Sequence, residues 1–163
     1  MKNKGLISLL KGQGTGMLLL LGVISYGLYW AYYARSQTKK INAEVDDSLK
    51  ISPFFVHTLF VMSHLSFVFF LLYILSGEAA SNNIMGSQFV DIIRTLMLVL
   101  WGLLARDAVN AHCEIKTTDE DWFSGPLSFF FSPLYFNYKV DLLNEKYKEQ
   151  NDDDDSSSDA KFF

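Results

Sequence analysis

The sequence predicts an all-α integral membrane protein: a compact bundle of four hydrophobic segments with amphipathic helices at its surface. Three observations carry that expectation. Half of the residues are hydrophobic, close to the globular average, but they fall in blocks with the charges between them, where a soluble domain interleaves the two kinds at a strand or helix period. Phe occurs 14 times, mostly inside or beside the blocks. The polar stretches between blocks carry helical spacing instead of strand alternation. The 163 residues suffice for one domain, expected over 1–150, with 151–163 as an acidic disordered tail.

The first block, 17–34, as one helix would rise roughly 27 Å, close to the hydrocarbon thickness. Its second half holds Tyr26, Tyr29, Trp30, Tyr32 and Tyr33 and is followed by Arg35, an interfacial aromatic belt and then a cationic anchor. Lys2, Lys4 and Lys11 precede it as in a signal peptide, but no small-x-small cleavage pattern follows, so the segment is read as retained. The second block, 53–76, opens on Ser52-Pro53, an N-cap with Pro in the first turn, and no charge interrupts it. At roughly 36 Å it can span with tilt. The third, 89–105, is apolar except for Asp91 and Arg94 and is closed by Arg106 and Asp107. The fourth, 122–138, is short and Phe-rich. Its Pro126 and Pro133 leave open a full span, a kinked span or a re-entrant hairpin.

Between the blocks, Ile41, Val45 and Leu49 recur at helical spacing within 35–50, and Val140, Leu143 and Tyr147 within 137–150. Both stretches read as amphipathic extensions on the membrane surface. An internal echo joins Leu28-Tyr29-Trp30-Ala31-Tyr32 to Leu134-Tyr135-Phe136-Asn137-Tyr138, with Ser25 and Ser132 shortly before. The interfacial aromatics are therefore Tyr29, Trp30, Tyr32, Tyr135, Phe136 and Tyr138. Either the two blocks play equivalent roles, as repeats do in transporters, or each simply meets the general need for aromatics and then cations where a helix leaves a bilayer.

The stretch 77–87 has no Lys or Arg and should face away from the cytoplasm. Four full spans would then strand the Lys clusters of both termini outside. Two full spans flanked by re-entrant segments would keep them inside, although the length of the first block favours four.

Asp91 and Arg94, one turn apart, can neutralise each other or mark an ion path. His57 and His64 share a face of the second block, spaced too widely for one ion without ligands from elsewhere; they either relay protons or, with Ser63 and Ser66 helping, hydrogen-bond between helices. Ser124, Ser128 and Ser132 form a ladder of small residues suited to close helix packing, with a neighbouring helix or with another protomer. Adjacent His112 and Cys113 point in different directions on one helix, a poor arrangement for nucleophilic catalysis. The Gly12–Gly16 stretch lacks the Lys-Ser/Thr of a phosphate loop. One Cys excludes an intramolecular disulfide. No cofactor or metal is expected, and the net charge of −4 shows no basic stripe for nucleic acid.

The Gly27–Tyr32 aromatic run, the basic stretch ending at Asn42, Ile51-Ser52-Pro53 and the closing run Phe131-Ser-Pro-Leu-Tyr-Phe-Asn-Tyr-Lys139 form a set. Over roughly residues 20–144 the chain resembles the bacterial small multi-pass membrane proteins of domain-of-unknown-function family 4234. The resemblance implies a bacterial inner-membrane location and supplies no catalytic residues. The expected role is a non-enzymatic scaffold or accessory subunit, with a bilayer and a homo-oligomeric or membrane-protein partner around it. The other expectation is a homo-oligomeric channel or transporter subunit using Asp91, Arg94, His57 and His64.

Overall fold

The computed structural model describes the backbone of residues 2–76 and 84–159 and the side chains of 5–75 and 87–149. Every regular element among the described residues is helical: α1 (Lys2–Leu10), α2 (Thr15–Ile24), α3 (Leu28–Glu44), a 3-10 turn at Asp47–Leu49, α4 (Pro53–Ser76), α5 (Ile84–His112) and α6 (Gly125–Asp159). Two stretches, Asp47–Leu75 and Ser87–His112, are long and apolar enough to cross a membrane. The second block is α4 with the limits read from the sequence. The third grows into α5, which runs past Arg106 because Ala105, Ala108 and Val109 continue its buried face.

The first block is not one helix. The chain breaks at Tyr26 and Gly27, whose φ values of 51° and 81° lie in the left-handed region. Gly27 adopts that region without steric cost, and its N–H closes onto the Gly22 carbonyl at 2.6 Å. α3 then returns along α2: the Trp30 indole donates to the Leu18 carbonyl at 3.3 Å, and the Tyr29 hydroxyl donates to Gln13 Oε1 at 2.7 Å. The first block, open in the sequence as a full span or as a re-entrant or kinked segment, is therefore a helical hairpin.

The fourth block folds back too. Ser132 leaves helical geometry, and Pro133, lacking an N–H, sits at the kink. Beyond it the helix returns past its own entry: Phe136 lies 5.5 Å from the Phe123 ring, the Tyr135 hydroxyl accepts the Ser124 N–H at 2.9 Å, and Lys139 reaches the Glu120 carbonyl at 2.6 Å. The fourth block is two helical arms folded back at Ser132 and Pro133. The limbs thus alternate in direction from α2 through the two arms of α6.

Two asparagines latch the turns at one end of this bundle. Asn42, near the end of α3, donates to the Ile51 carbonyl at 2.8 Å and accepts its N–H at 2.9 Å. Asn110, near the end of α5, does the same to Phe123 at 3.2 and 3.1 Å. Each clamped residue stands two positions before the next helix. The structural repeat is therefore α3–α4 with α5–α6, offset from the aromatic echo. We predict that Asn110→Ala leaves both polar groups of buried Phe123 unpaired and lowers stability by about 3 kcal/mol, read as a lowered unfolding midpoint in mild detergent.

The core gathers at the latched end. Leu6, Ile7 and Leu10 of α1 are buried there with Ile41, Trp101, Val109, Phe123, Phe136, Val140 and Leu143. This corrects two expectations. Ile41, Val45, Val140 and Leu143 turn their stripes into protein, with Leu49 and Tyr147 packed beside them, so 35–50 and 137–150 are core-forming arms and not helices lying on a surface. Phe136 is a fully buried core residue and not an interfacial one. The tail differs as well: α6 continues as helix through Asp159, each added residue closing one further backbone bond on an already anchored helix. Residues 160–163 of the expected disordered tail, and most of 77–87, lie outside the described residues.

Candidate functional site

The tip of the α2–α3 hairpin meets α4 and α5 in a cluster of polar side chains. Because Tyr26 adopts a left-handed turn, its ring stacks on Phe70 at 4.2 Å with 5° between planes, and its hydroxyl donates to Asp91 Oδ2 at 3.0 Å. Ser66 on α4 donates to Asp91 Oδ1. Arg94, one turn along α5, donates to the Tyr26 carbonyl, lies 5.1 Å over the Tyr26 ring and stands 3.7 Å from Asp91. The cluster satisfies the carbonyl exposed where α2 ends, a group that must find a partner when the chain reverses among apolar helices. A cleft of about 230 Å³ opens beside it, lined by Ser66, Phe70, Gln88 and Asp91.

Asp91 and Arg94 are therefore brought together with Tyr26, which the sequence offered only as one of the aromatics of the first block, and with Ser66, which it offered as a helper in interhelical hydrogen bonding and which bonds across to α5. The histidines do not join them. His64 spends Nδ1 on the Phe60 carbonyl at 2.8 Å, and its Nε2 lies 3.3 Å from the Tyr32 hydroxyl. His57 is exposed at the start of α4. A shared site of His57, His64, Asp91 and Arg94 is not formed, because residues 57 and 64 face α3 while residue 66, about 200° further round the helix from 64, faces α5.

The serine ladder packs within the chain. Ser132 donates to the Leu98 carbonyl at the kink, and a Cβ on Gly102 would fall 2.3 Å from Ser132 Oγ, so that glycine sets the approach of the hairpin to α5. Ser128 is buried, whereas Ser124 contributes its backbone to Tyr135. Phe129, Phe130 and Phe131 turn outward. Among the aromatics, Tyr32 packs edge-on to Phe60 at 4.7 Å and Tyr138 is exposed.

The Gly-rich stretch before α2 is a connection held by Asn137, which donates to the Gln13 carbonyl at 2.9 Å and to Thr15 Oγ1 at 3.0 Å. Near the end of α5, Arg106 pairs with Asp107. Burial pushes the Cys113 thiol up to about 11, the opposite of what activates a nucleophile. We predict that native Cys113 resists maleimide at neutral pH and reacts on denaturation. The sign for stability follows: the unfolded thiol ionises near pH 9 and the folded one near 11, so this contribution is intact below about pH 9 and declines as pH rises through the higher value. Among the described residues, no three His, Cys, Asp or Glu side chains gather to hold a metal.

Fold and site define an all-helical protein with two helices of membrane-spanning length and two folded-back hairpins, tied at one tip by a Tyr–Ser–Asp–Arg cluster. No family model, no curated protein and no solved structure matches the chain.

Proposed function

We propose that the chain is a multi-pass integral membrane protein with a non-enzymatic role, as scaffold or accessory subunit of a membrane complex. One observation carries the reading. In the apolar 18-residue stretch of each long helix only 17% and 22% of the residues are buried inside the protein, and Phe54, Val61, Leu75, Phe89, Leu96 and Leu100 are exposed. A collar of that kind needs lipid or another apolar protein. α4 and α5 cross the bilayer, and the two hairpins dip into it from one face. Arg35–Lys50, Arg106–Lys116 and the Lys residues around both termini then share that face, the cytoplasmic one by the positive-inside rule. The bacterial inner membrane is the setting that the resemblance to family 4234 implies. The polar cluster joins elements instead of converging on an open reaction site.

Native mass spectrometry after gentle extraction tests the role. A second polypeptide with the chain, or a homo-oligomer without ion flux, supports a scaffold; a lone monomer that restores every phenotype of a deletion strain argues against it. The second reading, a homo-oligomeric channel or transporter subunit, is favoured by the cleft at Asp91. It expects Asp91→Asn to abolish flux through reconstituted vesicles while the protein stays folded.

A further inference from the structure

Beside the α3–α4 latch lies a second, larger cleft of about 550 Å³, whose walls include Arg35, Thr38, Lys39, Asn42, Pro53 and His57. Its charge is one-sided. Arg35 and Lys39 contribute two cations, and no carboxylate lines the cleft. Neither cation forms an ion pair among the described residues. The cleft along α6 is unlike it, with Glu120, Asp121, Glu145 and Glu149 around two lysines. Arg35 is also held in place, its guanidinium 4.7 Å over the Phe60 ring. Thr38 and Asn42 are committed elsewhere, to Trp101 and Ile51, so the polar wall is rigid. Pro53, at the start of α4, brings the positive end of a 24-residue helix to the same place. Above the cleft, exposed Val61, Leu65 and Val68 continue along α4 as an apolar stripe.

Cations and a helix start beneath an apolar stripe suit a phosphate that carries hydrocarbon. We propose that the Arg35–Lys39–His57 cleft binds the phosphodiester headgroup of an anionic phospholipid, with its acyl chains lying on the Val61–Val68 stripe. The inference rests on the membrane reading above. Arg35 and Lys39 supply the charge, and exposed His57 adds a ring N–H donor at the rim. A zwitterionic lipid offers the same phosphate with a choline cation that the cleft repels, so the site discriminates by charge.

The test is native mass spectrometry of the full chain in mild detergent, titrated with phosphatidylglycerol, phosphatidylcholine or inorganic phosphate. We expect phosphatidylglycerol adducts to exceed phosphatidylcholine adducts about thirtyfold, in keeping with two cations near a lipid headgroup. Arg35→Gln with Lys39→Gln should remove the preference while helical content and elution volume stay unchanged. Charge-neutral swaps at Lys116 and Lys148 should leave it intact. Equal retention of both lipids, or a preference that survives the double variant, overturns the proposal. Competition by inorganic phosphate at lipid concentrations would reassign the cleft to a free anion. Failure of the chain to enter micelles or vesicles at all would instead remove the membrane reading on which the cleft's role rests.

Discussion

Arg94→Leu should cost about 3–5 kcal/mol of stability, the range for removing one partner of a buried charge pair. The Arg94 side chain is mostly enclosed, and it serves two groups at once, the Tyr26 carbonyl and the Asp91 carboxylate. Leucine would leave the carbonyl at the hairpin turn unpaired and Asp91 without its cation. The double variant Asp91→Leu/Arg94→Leu should lose less than the two single losses added together, because it removes charge from both sides. Thermal unfolding of the four species in one detergent gives the cycle. Additive losses would mean that the two side chains act independently, and the cluster would then not be the tie described above. The same result bears on the channel reading, since a variant that no longer folds cannot report on conductance.

Trp101→Ala should cost about 4 kcal/mol, the middle of the range for emptying a large buried aromatic site. Trp101 is fully buried where three limbs meet: its indole donates to Thr38 Oγ1 of α3 at 2.9 Å, and its ring lies edge-on to Tyr33 at 6.0 Å and to Phe136 of α6 at 5.5 Å. Trp101→Phe keeps most of the ring contacts and loses the hydrogen bond, so about 1–2 kcal/mol is expected. If the alanine variant unfolds like the parent, the latched end is not the packed core of the molecule, and α1, α3 and α6 must be held some other way.

How much of this was legible in the sequence differs from limb to limb, for physical reasons. α4 could be read to its ends, because an uncharged apolar run opened by Ser-Pro has one economical conformation. The first block could not, since composition is blind to direction: a short apolar helix, a Tyr-Gly reversal and a returning aromatic arm look the same as one span. The sign was Gly27, and it needed Arg94 from a segment 67 positions further on to give the reversal a partner (94 − 27). α1 was hidden in a different way. Lys2, Lys4 and Lys11 raised a targeting signal only to have it set aside, while Leu6, Ile7 and Leu10, on one helical face, are what the fold uses. The site was half legible. Asp91 and Arg94 stand out because charges in an apolar run are costly, whereas Tyr26 looks like one more belt aromatic and Ser66 like one of two serines able to bond between helices until the hairpin brings both to Asp91. The histidines misled because the face of α4 they share turns to α3, whereas Asp91 on α5 meets the opposite face through Ser66. The asparagine latches had a signal, Asn42 before Ile-Ser-Pro and Asn110 before Phe-Ser-Gly-Pro, but only the clamp geometry shows that these are one device used twice.

The central claim is that two helices cross the membrane and both hairpins enter it from the same face. Single-cysteine accessibility in intact cells and inverted vesicles tests it most directly, with buried Cys113 left in place. Lys11→Cys, Ser48→Cys and Thr117→Cys should all label from one side, and Leu75→Cys, at the far end of α4, from the other. Lys11→Cys labelling together with Leu75→Cys would contradict the account, because it would make 17–34 a full span after all. Equal labelling of every position from both sides would mean that the chain does not cross a membrane.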